Sequence, residues 1–107
     1  MKVIFHILEL NKWQTNVQNI RDLISSDPEA EVEVIVGSDA ASLFGKYSGI
    51  DFDDLLRNPK VNITISKFGL ENNNLDSNFL PSGVQVDDLI ITKLVKLQES
   101  GFAYIRL

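Results

Sequence analysis

Hydrophobic positions along the chain follow two spacings. Short, nearly continuous apolar runs, such as KVIFHIL at residues 2–8, are typical of strands in a parallel sheet that is covered on both faces. Longer segments carry apolar residues three or four positions apart, which places those residues on one face of a helix. The first of these stripes consists of Trp13, Val17, Ile20, Leu23 and Ile24.

The two spacings alternate, and they predict strands at residues 2–8, 31–37, 60–66, 83–86 and 102–107. Helices are predicted between them, at residues 12–24, 40–47, 52–58 and 88–100. The segment KFGLENNN, residues 67–74, is expected to form a loop with a short, weak helix, because consecutive Asn residues are poor helix formers. Seven apolar residues of the two later helices are expected to face inward: Phe52, Leu55, Leu56, Leu89, Ile90, Leu94 and Leu97.

Polar residues mark the expected ends of these helices. A side-chain oxygen just before a helix can accept a hydrogen bond from a free backbone N–H of the first turn. The residues expected to do so are Asn11, either Ser38 or Asp39, Asp51 and Asp87. Residues 25–28 and Pro59 are expected to stop the first and third helices, and Gly101 is expected to end the last one.

Strands that alternate with helices predict an α/β fold, a three-layer α/β/α sandwich around a mostly parallel five-stranded sheet of flavodoxin-like or Rossmann-like topology. We expect one domain, residues 1–107, with the first strand central and the second and third strands near it. Ile4, Val34 and Ile63 are expected in the core. The last strand is expected at a sheet edge, which a subunit interface could bury.

Composition narrows the classes of function. The chain has 107 residues, a net charge of −5 and no cysteine. The acidic balance argues against a nucleic-acid partner, since Lys and Arg are not in excess. The lack of cysteine excludes disulfides, thiolate metal sites and a persulfide on this chain. No targeting segment or membrane span is predicted, so a cytoplasmic location is expected, and no cofactor is predicted.

Candidate site residues follow the strands, because ligands in open α/β sheets bind outside the carboxyl ends of the strands. This rule selects four residues after the first two strands: His6, Glu9, Gly37 and Ser38. One hypothesis has His6 as a general acid or base tuned by Glu9, and the alternative is a half-buried imidazole that bonds to backbone or to a nearby Asn. No spacing motif supports a metal site, and the glycine fingerprint of a phosphate loop is absent.

The segment from Ser66 to Asn74, which follows the third strand, is the third candidate. It contains Gly69, and the amides of Asn72 and Asn73 can donate to and accept from a small ligand. The alternative is a solvated turn, because Asn side chains form local bonds with the backbone.

Three segments resemble the DsrE/DsrF-like family of small sulfur-relay proteins: KVIFHILELNKWQTNVQNIRDLI, LPSGVQV and LQESGFAYIRL. The resemblance rests on His6, Glu9, the element Asn19-Ile20-Arg21 and the closing run from Gly101 to Ile105. It implies the three-layer fold and assembly into trimers or hexamers. It also implies a reactive Cys after the third strand, where Leu70 stands here, so the thiol for sulfur transfer is lost.

Three hypotheses of function follow. The first is a non-catalytic, homo-oligomeric module that binds a small ligand or a protein partner through the candidate residues, Asn19 among them. The second is an accessory protein of intracellular sulfur relay that uses a partner's thiol. The third is a weak acid–base enzyme that uses His6 and Glu9.

Overall fold

A computed structural model of the protein describes residues 1–45 and 51–107. Within them, five strands form one sheet: β1 (Lys2–Ile7), β2 (Glu31–Val36), β3 (Val61–Ser66), β4 (Val84–Asp87) and β5 (Ala103–Ile105). Their order is β4-β3-β2-β1-β5, and every neighbouring pair is parallel. The predicted five-stranded parallel sheet is therefore confirmed.

The central strand is β2, and the prediction of a central β1 is wrong. β1 lies between β2 and β5, one strand away from the centre. A continuous apolar run indicates that both faces of a strand are covered, and every interior strand of a parallel sheet shares this property. The apolar pattern therefore identifies interior strands without ordering them.

Four α-helices accompany the sheet within the described residues: α1 (Trp13–Ser26), α2 (Asp53–Arg57), α3 (Lys67–Asn72) and α4 (Ile90–Glu99). Three 3₁₀ segments add to them, at Leu10–Lys12, Ser38–Phe44 and Ser77–Phe79. From β1 to β4 the chain moves across the sheet in one direction, so right-handed crossovers place the first three helices on one face. The connection from β4 to β5 returns to the opposite edge, and α4 packs on the other face.

The larger core lies beneath α1 and α2. Val3, Phe5 and Ile7 of β1 point into it, together with alternate residues of β2 and β3. Trp13 is buried there, stacks on Phe52 with 5.8 Å between ring centroids, and donates from Nε1 to the Ala40 carbonyl at 2.7 Å. Val34 and Ile63 are buried in this core, and Ile4 in the smaller one, as predicted.

The smaller core lies beneath α4. Ile4, Ile35 and Leu94 are buried there, and Ile90, Leu97 and Phe102 pack against them. The same face of the sheet also carries buried polar side chains, Glu33 and Thr64. Oε1 of Glu33 accepts from Asn62 at 3.3 Å, whereas Glu33 Oε2 and Thr64 Oγ1 have no hydrogen-bond partner among the described residues. The layer beneath α4 is thus more polar than the layer beneath α1.

Several predicted helix starts are wrong. Asn11 lies within the 3₁₀ segment Leu10–Lys12, and the Lys12 side chain that precedes α1 forms no cap. Asp39 accepts from the Leu10 N–H at 3.2 Å instead of capping a helix, and Ser38 has a left-handed backbone with φ of 52°. The second predicted helix is the 3₁₀ segment Ser38–Phe44, and its predicted end at Tyr47 lies outside the described residues.

Asp51 and Asp87, which precede α2 and α4, form local turns with the backbone. Asp51 accepts from the Asp53 N–H at 3.0 Å, close to its predicted role. Asp87 accepts from the Leu89 N–H at 2.8 Å, and α4 begins only at Ile90. Leu89 therefore lies outside the helical stripe and is 62% exposed, contrary to its predicted inward position.

Candidate functional site

A cleft of about 410 Å³ lies at the carboxyl ends of β1, β2 and β3, against the start of α4. The strand side of the cleft consists of His6, Leu8, Val36, Gly37, Ser38 and Ser66. Phe68 and residues 88–92 complete the wall, and most of the lining is apolar. The cleft therefore stands where the strand-end rule predicts a site.

His6 is the half-buried polar group of this cleft. Its Nδ1 is 2.7 Å from the hydroxyl of Tyr104 in β5, and the two rings meet edge to face with 5.6 Å between centroids. Burial, followed by the nearby positive charge of Arg106, lowers the pKa of His6 below its ordinary value of 6.5. His6 is therefore neutral at physiological pH, since both effects disfavour the imidazolium.

Glu9 contacts Arg106 rather than His6. The carboxylate of Glu9 and the guanidinium of Arg106 are 4.0 Å apart, and both side chains are about half exposed. Among the described residues no hydrogen bond joins Glu9 to His6, and the partner of His6 Nδ1 is Tyr104. The charge that tunes His6 is the cation of Arg106, which acts in the opposite direction to a carboxylate.

Gly37 and Ser38 lie in the cleft beside His6. A Cβ atom on Gly37 would be 3.2 Å from Leu8 Cδ2 and 3.4 Å from Ser66 Oγ, so the glycine lets β1 and β3 close around the strand end. The Ser38 carbonyl accepts from the side-chain amide of Asn73 at 3.0 Å, which ties the 3₁₀ segment to α3.

Gly69, Leu70, Asn72 and Asn73 of the KFGLENNN segment do not line the cleft. The Asn73 amide also donates to the Gly69 carbonyl at 2.7 Å, and Asn72 is exposed to solvent. Leu70, at the position where the family resemblance implies a thiol, is buried in the larger core. The residue of KFGLENNN that lines the cleft is Phe68, which lies within the predicted segment 66–74 although the sequence analysis did not name it individually.

Asn19 lies away from the cleft. It is on α1, on the opposite side of the sheet, and its amide donates to the Thr15 carbonyl at 2.8 Å. Arg21, two positions later, binds Asp54 through two hydrogen bonds of 3.0 and 2.9 Å, which lower the pKa of that carboxyl. Within the element Asn19-Ile20-Arg21, it is therefore Arg21 that joins α1 to α2.

Tyr104, Arg106 and the start of α4 are site residues that the sequence analysis missed, whereas Ser66 begins the predicted segment 66–74 and lines the cleft. The bond between His6 and Tyr104 joins residues 98 positions apart, and it depends on the pairing of Ile4 with Tyr104 across β1 and β5. A feature of the sequence that could have indicated Tyr104 and Arg106 is the alternation within FAYIRL, which places Phe102, Tyr104 and Arg106 on one face of the strand.

The described residues contain no group of three His, Asp or Glu side chains arranged to hold a metal ion. None of the helices in this part of the chain has the length and apolar character needed to cross a membrane.

Two solved structures share the fold over nearly the whole chain. A protein of unknown function, MTH1491 from Methanobacterium thermoautotrophicum, is 26% identical with a TM-score of 0.82, covering 99% of this chain and 98% of that one. The ychN protein from E. coli is 14% identical with a TM-score of 0.75, covering 100% of both chains. No protein-family model and no curated protein matches the chain. The likeness shows a three-layer α/β fold shared with other small proteins.

Proposed function

We propose that this protein is a divergent DsrE/DsrF-like module that is non-catalytic, self-associates and binds a small ligand in the cleft at the strand ends. The end-to-end likeness to small α/β proteins and the sequence resemblance support the family. The absence of cysteine and the burial of Leu70 argue against sulfur transfer by this chain itself.

The observation that carries the proposal is the apolar rim of the cleft, formed by Phe68, Leu89 and Ile91. These side chains are 68%, 62% and 73% exposed, and all three line the cleft. Clusters of large exposed apolar side chains mark binding surfaces, and sites for small ligands measure about 300–1,000 Å³. A ligand in the cleft and a second copy against the rim would remove this surface from water.

The rim continues along the outer face of α4. Val95 lies one turn after Ile91 and is also exposed, whereas Leu94 points into the smaller core. Ile91 and Val95 therefore give α4 a second, outward apolar stripe, which a helix that packs on one side only does not require. The proposed assembly is a trimer or a hexamer in which this stripe is buried.

Native mass spectrometry at micromolar concentration tests the assembly. We expect a trimer or a larger oligomer, and we expect Ile91→Asp to dissociate it because a carboxylate would be buried without a partner. Gln14→Asp, at an exposed position on α1, is the matched control and should leave the oligomer intact. A strict monomer of the unmodified protein would contradict the proposal.

A second candidate function, weak acid–base catalysis, is favoured by the position of His6 in the cleft with Tyr104 behind it. Hydrolysis of p-nitrophenyl acetate separates the two candidates, since a neutral imidazole attacks this ester. The binding module should be no faster than the same concentration of free imidazole. A faster rate that His6→Gln abolishes would replace the non-catalytic proposal with the catalytic one.

A further inference from the structure

The two ring nitrogens of His6 have different surroundings. Nδ1 meets the Tyr104 hydroxyl at 2.7 Å, and Nε2 has no hydrogen-bond partner among the described residues. A phenol O–H is a strong donor and a weak acceptor, because the ring withdraws its oxygen lone pair, whereas an unprotonated imidazole nitrogen is a strong acceptor. The short contact therefore favours O–H donation to Nδ1, which leaves the proton of the neutral ring on Nε2.

A second donor, Ser66, lines the same cleft. Ser66 Oγ accepts from the Gly69 N–H at 2.8 Å, and a hydroxyl that accepts in this way still has its own proton to donate. Both His6 and Ser66 line the cleft, with Leu8, Phe68 and Ile91 among their apolar neighbours. The side chains that His6 and Ser66 bring to the cleft are thus uncharged and can donate hydrogen bonds.

The negative charge of Asp88 in the cleft further restricts which class of ligand can bind. Asp88 is exposed and lines the cleft, and the chain as a whole carries a net charge of −5. A carboxylate or phosphate entering the cleft would be repelled there. An ammonium group would suit Asp88 but would place its N–H donors against the donors of His6 and Ser66.

We propose that Tyr104 fixes His6 in the Nε2–H tautomer, and that His6 and Ser66 donate hydrogen bonds to the carbonyl oxygen of an uncharged ligand. The apolar part of this ligand packs on Leu8, Phe68 and Ile91. Tyr104 is a positioning residue, because it acts through His6 and is not among the residues that line the cleft. The ligand class rests on the proposed binding function, whereas the tautomer does not.

Nitrogen-15 NMR of the His6 ring tests the tautomer directly. At neutral pH we expect a protonated Nε2 and an unprotonated Nδ1, and in Tyr104→Phe we expect a shift toward a mixture of tautomers. Arg106→Gln is the matched control, since it removes the nearby charge and keeps the hydroxyl, so the tautomer should stay and the pKa of His6 should rise. A protonated Nδ1 in the unmodified protein would overturn the assignment.

Three probes with the same seven-carbon chain test the ligand class: 2-heptanone, heptanoate and 2-aminoheptane. The NMR signals of His6 should respond to 2-heptanone at concentrations about tenfold lower than to either charged probe, a ratio expected for one hydrogen bond. In His6→Phe, where binding is followed through the backbone amide signals of Gly37 and Ser38 in the cleft, this preference for the ketone should disappear.

Tighter binding of heptanoate or of the amine would overturn the carbonyl ligand and leave the binding module standing. Failure of all three probes would contradict both the ligand class and the ligand-binding part of the proposed function. The oligomer measurement and the tautomer would be unaffected by that result, so the failures are distinguishable.

Discussion

Gly69 packs directly against Gly37: a Cβ atom on Gly69 would lie 3.4 Å from the Gly37 Cα. The same Cβ would lie 2.9 Å from Ser66 Oγ and 3.2 Å from Ala41 Cβ. This close approach lets the start of α3 sit against the end of β2, and it holds the wall of the cleft that carries Ser66 and Phe68.

Replacing Gly69 with Ala should therefore destabilise the protein. Overpacking of this kind costs about 1–3 kcal/mol, because neighbouring atoms or backbone must shift. Urea denaturation of the purified variant measures the loss. Asn72→Ala, at an exposed position of the same helix, is the control and should change stability by less than about 0.5 kcal/mol. A neutral Gly69→Ala would show that α3 can move away without cost.

Truncation of Ile4 tests the smaller core. Ile4 is fully buried in β1 and packs with Ile35 and Leu94 beneath α4. Ile4→Ala should lower the free energy of unfolding by about 2–5 kcal/mol, through lost burial and the cavity left behind. Denaturation of Gln14→Ala, which is exposed on α1, provides the comparison. Equal stability of the two variants would mean that α4 is not held by this core.

Glu33 gives the stability of the protein a pH dependence of known sign. Burial is the largest effect and raises the pKa of Glu33 above its ordinary value of 4.5, so the folded state holds this proton more tightly than the unfolded state. The stability contributed by Glu33 is full below pH 4.5 and is lost as the pH rises through the folded-state pKa.

Glu33→Gln should remove this loss. The variant should gain stability relative to the unmodified protein as the pH rises above 4.5, and the gain should level off once Glu33 is fully ionised. Thermal unfolding measured from pH 4 to pH 8 follows this difference. Glu99→Gln, at an exposed position on α4, should give no such trend. A difference that shrinks with rising pH would contradict the assigned direction.

Gly101 ends α4 with a left-handed backbone, as its φ of 97° shows. Its N–H donates to the Gln98 carbonyl at 3.0 Å, and the Phe102 N–H donates to the Leu97 carbonyl at 3.0 Å. Gly101→Ala should cost about 1–2 kcal/mol, because a Cβ atom is disfavoured in this conformation. The denaturation midpoint of Ser100→Ala, one residue earlier, should move much less. Equal midpoints would disprove this account of the helix end.

The predictable part of the fold depends on local pattern. The three interior strands were placed within one residue at either end, because burial on both faces leaves a continuous apolar run. The partly exposed edge strands β4 and β5 were placed within two residues. The C-terminal end of α4 was confirmed, since Gly101 supplies a conformation that few other residues adopt. The capping role of Asp39 was wrong because its partner, the Leu10 N–H, comes from a distant part of the chain. That of Asn11 was wrong because the residue lies within the 3₁₀ segment Leu10–Lys12, which precedes α1.

In the candidate site, too, residues placed by local pattern were predicted and residues placed by long-range packing were not. His6, Gly37 and Ser38 lie together because strand ends converge in any parallel sheet. Tyr104 was missed, and Phe68 was not selected individually within the segment 66–74, since the register of β5 against β1 and the orientation of a short helix are set by long-range packing. Glu33 shows the same limit, because the alternation of EVEVIV indicates a strand without showing which face α4 covers.

The pairing of β5 with β1 has a consequence for the order of events during folding. The contact between His6 and Tyr104 closes a loop of nearly the whole sequence, and such closures are entropically costly and slow to form. In conformers that have assembled β1 to β4 but have not yet docked β5, the His6 ring would lack its bond to Tyr104 and would rotate freely. Only the fully folded chain would then bind a ligand through His6, and molecules in which β5 is not yet docked, or has detached, would not bind it.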